Sequence, residues 1–134
     1  MDYELIKVKP GEDLSRILPL REQIFGFGED DLDEIGISMM MVEGGNPIAI
    51  GRMVLDMESD RLIIEQIGVI EGRRRQGIGS EMLDRLMDIA RDSNADEVWA
   101  KTKNNQEAMA LLSKHGFDEM NFYWMSVDMP YYKK

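Results

Sequence analysis

The chain has 134 residues, 43% of them hydrophobic, with 26 acidic against 16 basic residues, a formal charge of -10 and no cysteine. General nucleic-acid binding is disfavoured, because phosphate-backbone affinity rests on a basic surface. Disulfides, thiolate zinc sites and a cysteine nucleophile are excluded outright.

That length suits one domain over residues 1–134 with enough apolar material for a core. No apolar run approaches the roughly 18 residues of a membrane span. The opening "MDYELIKVKP" alternates like a strand and lacks the apolar block of a secretion signal. A cytoplasmic protein without a membrane partner is the expectation. The excess of acid chiefly means a soluble surface, and secondarily favours a cationic small molecule or basic peptide as partner.

In chain order, "YELIKV" reads as a first strand. Leu14, Ile17, Leu18, Arg21, Ile24 and Phe25 follow at helical spacing, in a helix that Pro19 strains or splits. "GEDDLDEIG" reads as an acidic loop. "ISMMMV" and "PIAIGRMVLDM" read as a hairpin around "EGGN". "RLIIEQIGVI" is a fourth strand, apolar on both parities and so covered on both faces. Ile78, Met82, Leu83, Leu86, Ile89 and Ala90 mark a second helix, with Glu81 and Arg85 paired one turn apart and an end near Asn94. "EVWAKT" is a fifth strand. "NNQEAMALLSKHGF" is a third helix, capped by Asn104 or Asn105 and stopped by Gly116. "NFYWMSVDM" is a last strand. The order implies an α/β fold: a mixed sheet with helices on its faces.

The stretch "VIEGRRRQGIGSEML" joins the buried fourth strand to the N-terminus of the second helix. A first helical turn carries backbone N–H groups without internal partners, and the helix dipole adds partial positive charge there. An anion docked on such a turn gains several donors at once. Gly77 and Gly79 let it approach the backbone, and the arginines can clamp phosphate oxygens from outside. A pyrophosphate fits this chemistry; a plain glycine turn with solvated arginines is the competing reading. The Walker loop is excluded, since "GIGSEM" lacks Gly-Lys-Ser/Thr. The dinucleotide fingerprint is excluded as well, since Met82 stands where a third small residue is needed. Nearby, Glu65 and Gln66 interrupt an otherwise apolar strand, and a buried carboxylate there needs a partner.

Together, Arg74-Arg75-Gln76-Gly77-Ile78-Gly79 with Val69 five residues earlier, and Asn105, Ala108, Leu111-Leu112 and Gly116-Phe117, resemble the two signatures of the GNAT superfamily of acetyl-CoA-dependent N-acetyltransferases. The resemblance covers nearly the whole chain. It implies a central, mostly antiparallel sheet with one splayed parallel strand pair and helices on both faces. It also implies transfer of an acetyl group from acetyl-CoA to an amine of a small molecule or peptide by direct attack, with no metal.

By the same resemblance, the coenzyme A pyrophosphate rests on the backbone of Arg74, Arg75, Gln76, Gly77, Ile78, Gly79 and Ser80. Arg73 or Arg75 reaches the 3′-phosphate or stays in solvent. The pantetheine arm lies along Ile67, Gly68 and Val69, and Asn105 hydrogen-bonds it while also serving as an N-cap. Glu65 is the candidate base that takes a proton from the acceptor amine. A strand N–H beside it is the candidate oxyanion donor. Many relatives place a proton-donating tyrosine where this chain has Leu112. Tyr123 is the candidate replacement, with Tyr131 and Tyr132 behind it; His115 reads as a partner of a helix C-terminus. The acidic loop, residues 29–34, either draws a cationic acceptor or is simply solvated. "NFYWMSVDMPYY" supplies aromatic surface for a homodimer. Leu112 also supports an alternative function, a non-catalytic acyl-CoA sensor.

Overall fold

The computed structural model describes residues 3–56, 61–102, 105–121 and 124–132. Among these, seven strands form one sheet: β1 (Glu4–Val8), β2 (Gly36–Glu43), β3 (Asn46–Asp56), β4 (Arg61–Val69), β5 (Glu97–Lys101), β6 (Asp118–Glu119) and β7 (Trp124–Asp128). Their order in space is β1-β2-β3-β4-β5-β7-β6. Neighbours are antiparallel except β4 and β5, which run parallel. The helices are α1 (Leu18–Phe25), α2 (Ile78–Asp92) and α3 (Gln106–Lys114). The α2 helix supplies the crossover that a parallel pair requires.

The sheet is covered on both faces. One core layer joins Met39, Met41, Ile48 and Ile64 to Met82, Leu83, Leu86 and Met87 of α2. The opposite layer joins Met40, Val42 and Ile50 to Ile17 and Leu20 at the α1 side. Successive strand side chains point to opposite faces, so the three consecutive methionines divide between the two layers, all at most 5% exposed. Burying a side chain of that size stabilises the fold by about 1.5–3 kcal/mol.

Three local readings are corrected. Pro19 does not split a helix. The helix begins at Leu18, so the proline lies in its first turn, where a missing N–H costs nothing. The residues before it, Leu14 and Ile17, form turns instead. The acidic loop contains a short 3-10 turn, Asp31–Glu34, closed by a capping box from Asp30. The final strand is Trp124–Asp128, and the two-residue β6 pairs with it at the sheet edge, too short to leave a pattern.

Two irregularities of β4 build the site. First, β4 pairs with β5 only through Leu62, Ile63 and Ile64. Beyond Ile64 the two strands part, and β4 keeps only its β3 neighbour as far as Val69. Second, Arg52 of β3 faces Gln66 while Met53 faces Ile64, which leaves Glu65 as the extra residue of a β-bulge. Bulges bend a strand locally and re-aim side chains.

Candidate active site

The glycine turn follows β4 through a short 3-10 turn, Glu71–Arg73. Gly77 is the N-cap of α2 at φ 80, in the left-handed region where glycine meets no steric penalty. Arg75 holds φ 64 as well, a conformation costing a non-glycine residue about 1–2 kcal/mol. These two kinks line up a row of donors. The backbone N–H groups of residues 75–80 have no hydrogen-bond partner among the described residues. Ile78 turns its side chain into the core, so its contribution to the row is its backbone. A Cβ added to Gly79 would sit 3.4 Å from Leu111 and 3.8 Å from Val69, at the mouth of the groove that those residues flank. That groove is a cavity of about 560 Å³, also lined by Ile67, Gly68, Arg74 and Ser80.

The three arginines have three different settings. Arg73 is tied to Glu43 at 2.6 and 3.2 Å, and its Nε donates to Gln76 Oε1 at 3.0 Å. The hydrogen bond from Arg73 is the main reason the Glu43 carboxyl is held below its ordinary pKa. Arg74 folds back so that its Nε donates to the Val69 carbonyl at 3.1 Å, bracing the end of β4. Arg75 has no partner among the described residues and lines the groove. Of the two arginines read for an outer phosphate, Arg75 is therefore the available one.

Where β4 and β5 part, a second cavity of about 420 Å³ opens, bounded by Glu65, Gln66 and Ile67 on one side and Thr102, Asn105 and Leu112 on the other. Asn105 lines both cavities. Its side-chain oxygen accepts from Ala108 N–H at 3.1 Å, the N-cap bond of α3. Its amide NH2 has no partner among the described residues. The N-cap role thus leaves a donor for a second one. Two buried polar atoms of this cavity have no partner among the described residues, Gln66 Nε2 and Thr102 Oγ1, in residues 5% and 4% exposed. Unpaired buried polar atoms are rare, and a ligand group is one explanation for a pair of them on the walls of one cavity.

Leu112 is a buried wall of that cavity. Tyr123 lies outside the described residues. Tyr131 is 61% exposed, and Tyr132 donates its hydroxyl to Asp84 of α2 at 2.7 Å. Burial first, and the Asp84 carboxylate second, push the Tyr132 phenol up beyond its usual range. Neither tyrosine lines the two cavities. His115 is buried, donates Nδ1–H to the Leu111 carbonyl at 2.9 Å and stacks on Tyr132, in keeping with a helix C-terminus partner.

Sequence reasoning missed a buried ionic network at the far end of this cavity. Arg21 and Arg52 are each 1% exposed. Arg21 bonds Asp33 at 2.7 Å and Ser38 Oγ at 3.2 Å. Arg52 Nη1 bonds Asp30 at 2.6 Å and Asp33 at 3.1 Å, while its Nη2 bonds Asp30 at 3.0 Å and Glu65 at 2.9 Å. Burial works to raise the Asp33 pKa, but hydrogen bonds from Arg21, the Asp30 backbone and Arg52, with the charge of Arg21, outweigh it and hold the carboxyl below its ordinary value. For Arg52 burial likewise opposes the charge, and the bonds to Asp30 and Asp33 prevail. The solvated-loop reading of residues 29–34 is thereby corrected for Asp30 and Asp33, which neutralise two core guanidiniums. Glu65 is neither an unpartnered buried carboxylate nor a free edge group. One oxygen meets Arg52, and Oε1 has no partner among the described residues.

This architecture has known counterparts. The Acetyltransferase (GNAT) family model matches residues 6–117, and the chain belongs to that family. It is thus an acyltransferase of the kind that uses acetyl-CoA as co-substrate. No curated protein matches the chain. Among solved structures, the fold is similar to the ribosomal-protein-S18-alanine N-acetyltransferase from Escherichia coli, with TM-score 0.76 and 16% identity over 96% of this chain and 94% of that one. It is also similar to a GNAT family acetyltransferase from Elizabethkingia anophelis with acetyl-CoA bound, with TM-score 0.74 and 15% identity over 94% and 97% of the two chains. A third is the PaiA N-acetyltransferase from Thermoplasma acidophilum in complex with coenzyme A, with TM-score 0.73 and 11% identity over 96% and 99%. The residues present fit such a co-substrate, with a row of unpaired N–H groups for its phosphates and a free strand edge for an arm bearing amides. Among the described residues no group of metal-ligating side chains occurs, and no helix is long and apolar enough to cross a membrane.

Proposed function

We propose that this chain acts as one N-acetyltransferase domain that moves the acetyl group of acetyl-CoA onto an amine of a small molecule or peptide by direct attack. One observation carries the reading: the free edge of β4 runs from the bulge at Glu65 to Val69, and one short 3-10 turn further on come the unpaired N–H groups of residues 75–80. An arm extended along Ile67, Gly68 and Val69, with its pyrophosphate on residues 74–80, ends near Glu65. The span from Glu65 to Val69 is about 13 Å of strand. Arg75 reaches the outer phosphate, and the Asn105 amide NH2 holds the arm from the α3 side.

At the reacting end, the acceptor ammonium must lose a proton before its nitrogen can attack, since an alkylammonium has a pKa near about 10.4. Glu65 Oε1 receives that proton, directly or through water. The nitrogen attacks the thioester carbonyl, a strand N–H beside Ile67 steadies the oxyanion, and the C–S bond breaks as the nitrogen's second proton passes to the departing sulfur or to water. A thiolate with a pKa near about 8.5 leaves with modest assistance, which suits a site whose Leu112 cannot donate a proton. The Thr102 hydroxyl is a donor on this cavity wall, and Tyr123 is the other candidate.

A thiol-release assay with acetyl-CoA against polyamines, amino acids, aminoglycosides and peptides tests the reading. Release that depends on an added amine supports it. Leu112 favours a second reading, an acyl-CoA sensor. That reading predicts a rise in melting temperature with acetyl-CoA and no release with any amine. No thermal shift at any acetyl-CoA concentration would refute both.

A further inference from the structure

The acceptor end of the smaller cavity has a chemical bias of its own. Its outer wall is aromatic. Phe25 and Phe27 are 37% and 40% exposed, with ring centroids 6.3 Å apart. Phe25 is set by Gly68, where an added Cβ would come within 2.8 Å of the ring and 2.5 Å of Ile24. Phe25 lines both cavities and so marks the boundary between the cofactor groove and the acceptor end.

The same cavity is lined by Asp30 and Glu65, both held by Arg52. Arg52 has no accessible donor left for a ligand. Both Nη atoms are engaged twice, and Nε is buried without a partner. Three carboxylates, Asp30, Asp33 and Glu65, face two guanidiniums, Arg21 and Arg52. Within this network one negative charge is left unbalanced, and the freest lone pairs belong to Glu65 Oε1. A carboxylate placed between Asp30 and Glu65 would therefore meet two carboxylates, and the one cation of this cavity outside the network, Lys101, stands on the β5 side; an ammonium at the same place would complete the network. Gln66 Nε2, unpartnered among the described residues and in a residue 5% exposed on the same cavity, is an N–H donor, so it marks a place for a ligand acceptor such as a carbonyl oxygen, separate from the place of the ammonium.

We infer that the acceptor is an amine on an apolar, aromatic-sized body with no carboxylate beside the amine. Its ammonium lies against Glu65 and Asp30, and its body against Phe25, Phe27 and Leu32. This inference rests on the proposed acetyl transfer and names the substrate class of that same site. It separates arylalkylamines, and peptide N-termini with an apolar first residue, from free α-amino acids.

The test is calorimetric titration of the coenzyme A-saturated protein with 2-phenylethylamine, phenylalanine, 3-phenylpropionate and spermidine. Phenylethylamine should bind at least about tenfold more tightly than phenylalanine and phenylpropionate, because only the latter two bring a carboxylate against Asp30 and Glu65. Phe27→Ala, an exposed position that leaves the core intact, should weaken phenylethylamine about three- to tenfold and leave spermidine unchanged. Phenylalanine or phenylpropionate binding as tightly as phenylethylamine overturns the inference. So does spermidine binding more tightly than phenylethylamine, or no binding by any of the four. Binding is read without turnover, so the two levels separate. Coenzyme A binding with the carboxylate preference reversed sinks only this inference. The expected selectivity without thiol release sinks only the catalytic reading. Failure of coenzyme A to bind sinks both.

Discussion

The two ends of β4 offer a ligand different means of attachment. At its C-terminal end, the site is backbone: N–H groups of residues 75–80 aligned by Gly77, with Arg75 outside them, all without partners among the described residues. At the bulge, the site is side chains: Arg21, Asp33, Arg52, Asp30 and Glu65, drawn from α1, the 3-10 turn and its N-cap, β3 and β4. A backbone site needs only the right φ angles and room, so it tolerates any side chain that does not fill the groove. A side-chain site needs each partner present, because removing one leaves another buried and unpaired. The cofactor end should therefore fail in binding while the fold survives, and the acceptor end should fail in folding first.

The largest effect belongs to the buried network. Asp33→Ala leaves Arg21 and Arg52 without a shared buried partner and should destabilise the chain by about 3–5 kcal/mol, measured by urea denaturation. A loss below about 1 kcal/mol would show that water or Asp30 substitutes. The same carboxylate sets an acid limit. Its folded pKa lies below the ordinary value of 3.8. Its contribution is therefore complete above that value and disappears as pH falls through the folded pKa. The melting temperature should stay level for this group above about pH 5 and decline below about pH 4. In Asp33→Asn that decline should be shallower.

Next comes the glycine turn. Gly77→Val places a β-branched residue at φ 80, and Gly79→Val inserts a side chain into the groove beside Leu111 and Val69. Each should weaken coenzyme A binding about 10- to 100-fold, or about 1.4–2.8 kcal/mol. For Gly79→Val the thermal stability without ligand should barely move. If Gly79→Val binds coenzyme A unchanged, the anion does not lie on this backbone.

Thr102→Val sharpens the contrast at the chemistry itself. Its hydroxyl has no partner among the described residues, so replacement by a methyl group should leave stability unchanged or slightly raised. If that hydroxyl assists the departing thiolate, kcat falls about tenfold, or about 1.4 kcal/mol, while coenzyme A affinity stays the same. An unchanged kcat would move that role to Tyr123.

The same contrast decides what was legible in the sequence. Gly77 and Gly79 carry their conformational requirement in their identity, and they stand between a strand and a helix that hydrophobic periodicity reveals. The proposed cofactor end could thus be read from one contiguous stretch. Residues 21, 30, 33, 52 and 65 meet only through tertiary structure, and each has an innocent local reading: Arg21 on a helix face, Asp30 and Asp33 in an acidic loop, Glu65 at a strand edge. The signals present were Arg21 among the apolar positions of its helix and Arg52 within "PIAIGRMVL", two cations in segments otherwise bound for the core. Pro19 misled because its position relative to the helix start, rather than its presence, decides its effect. The bulge at Glu65 depends on the register with β3 and leaves no local mark.

The smallest expected effect distinguishes the neighbouring arginines. Arg75→Ala removes a guanidinium without a partner among the described residues, at the groove. It also relieves none of the left-handed strain at φ 64, since alanine has the same Cβ. Stability should change by less than about 0.5 kcal/mol. Coenzyme A binding should weaken about three- to tenfold, the effect of one charged hydrogen bond to phosphate. The loss should shrink for dephospho-coenzyme A if Arg75 serves the 3′-phosphate. Arg73→Ala should show the reverse pattern. Its guanidinium is engaged with Glu43, so the loss falls on the contact between the 3-10 turn and β2, at about 0–1 kcal/mol of stability, with coenzyme A affinity changed less than twofold. Should Arg73→Ala weaken binding more than Arg75→Ala, the Glu43 pair must open when the cofactor arrives, and the outer phosphate would then belong to Arg73.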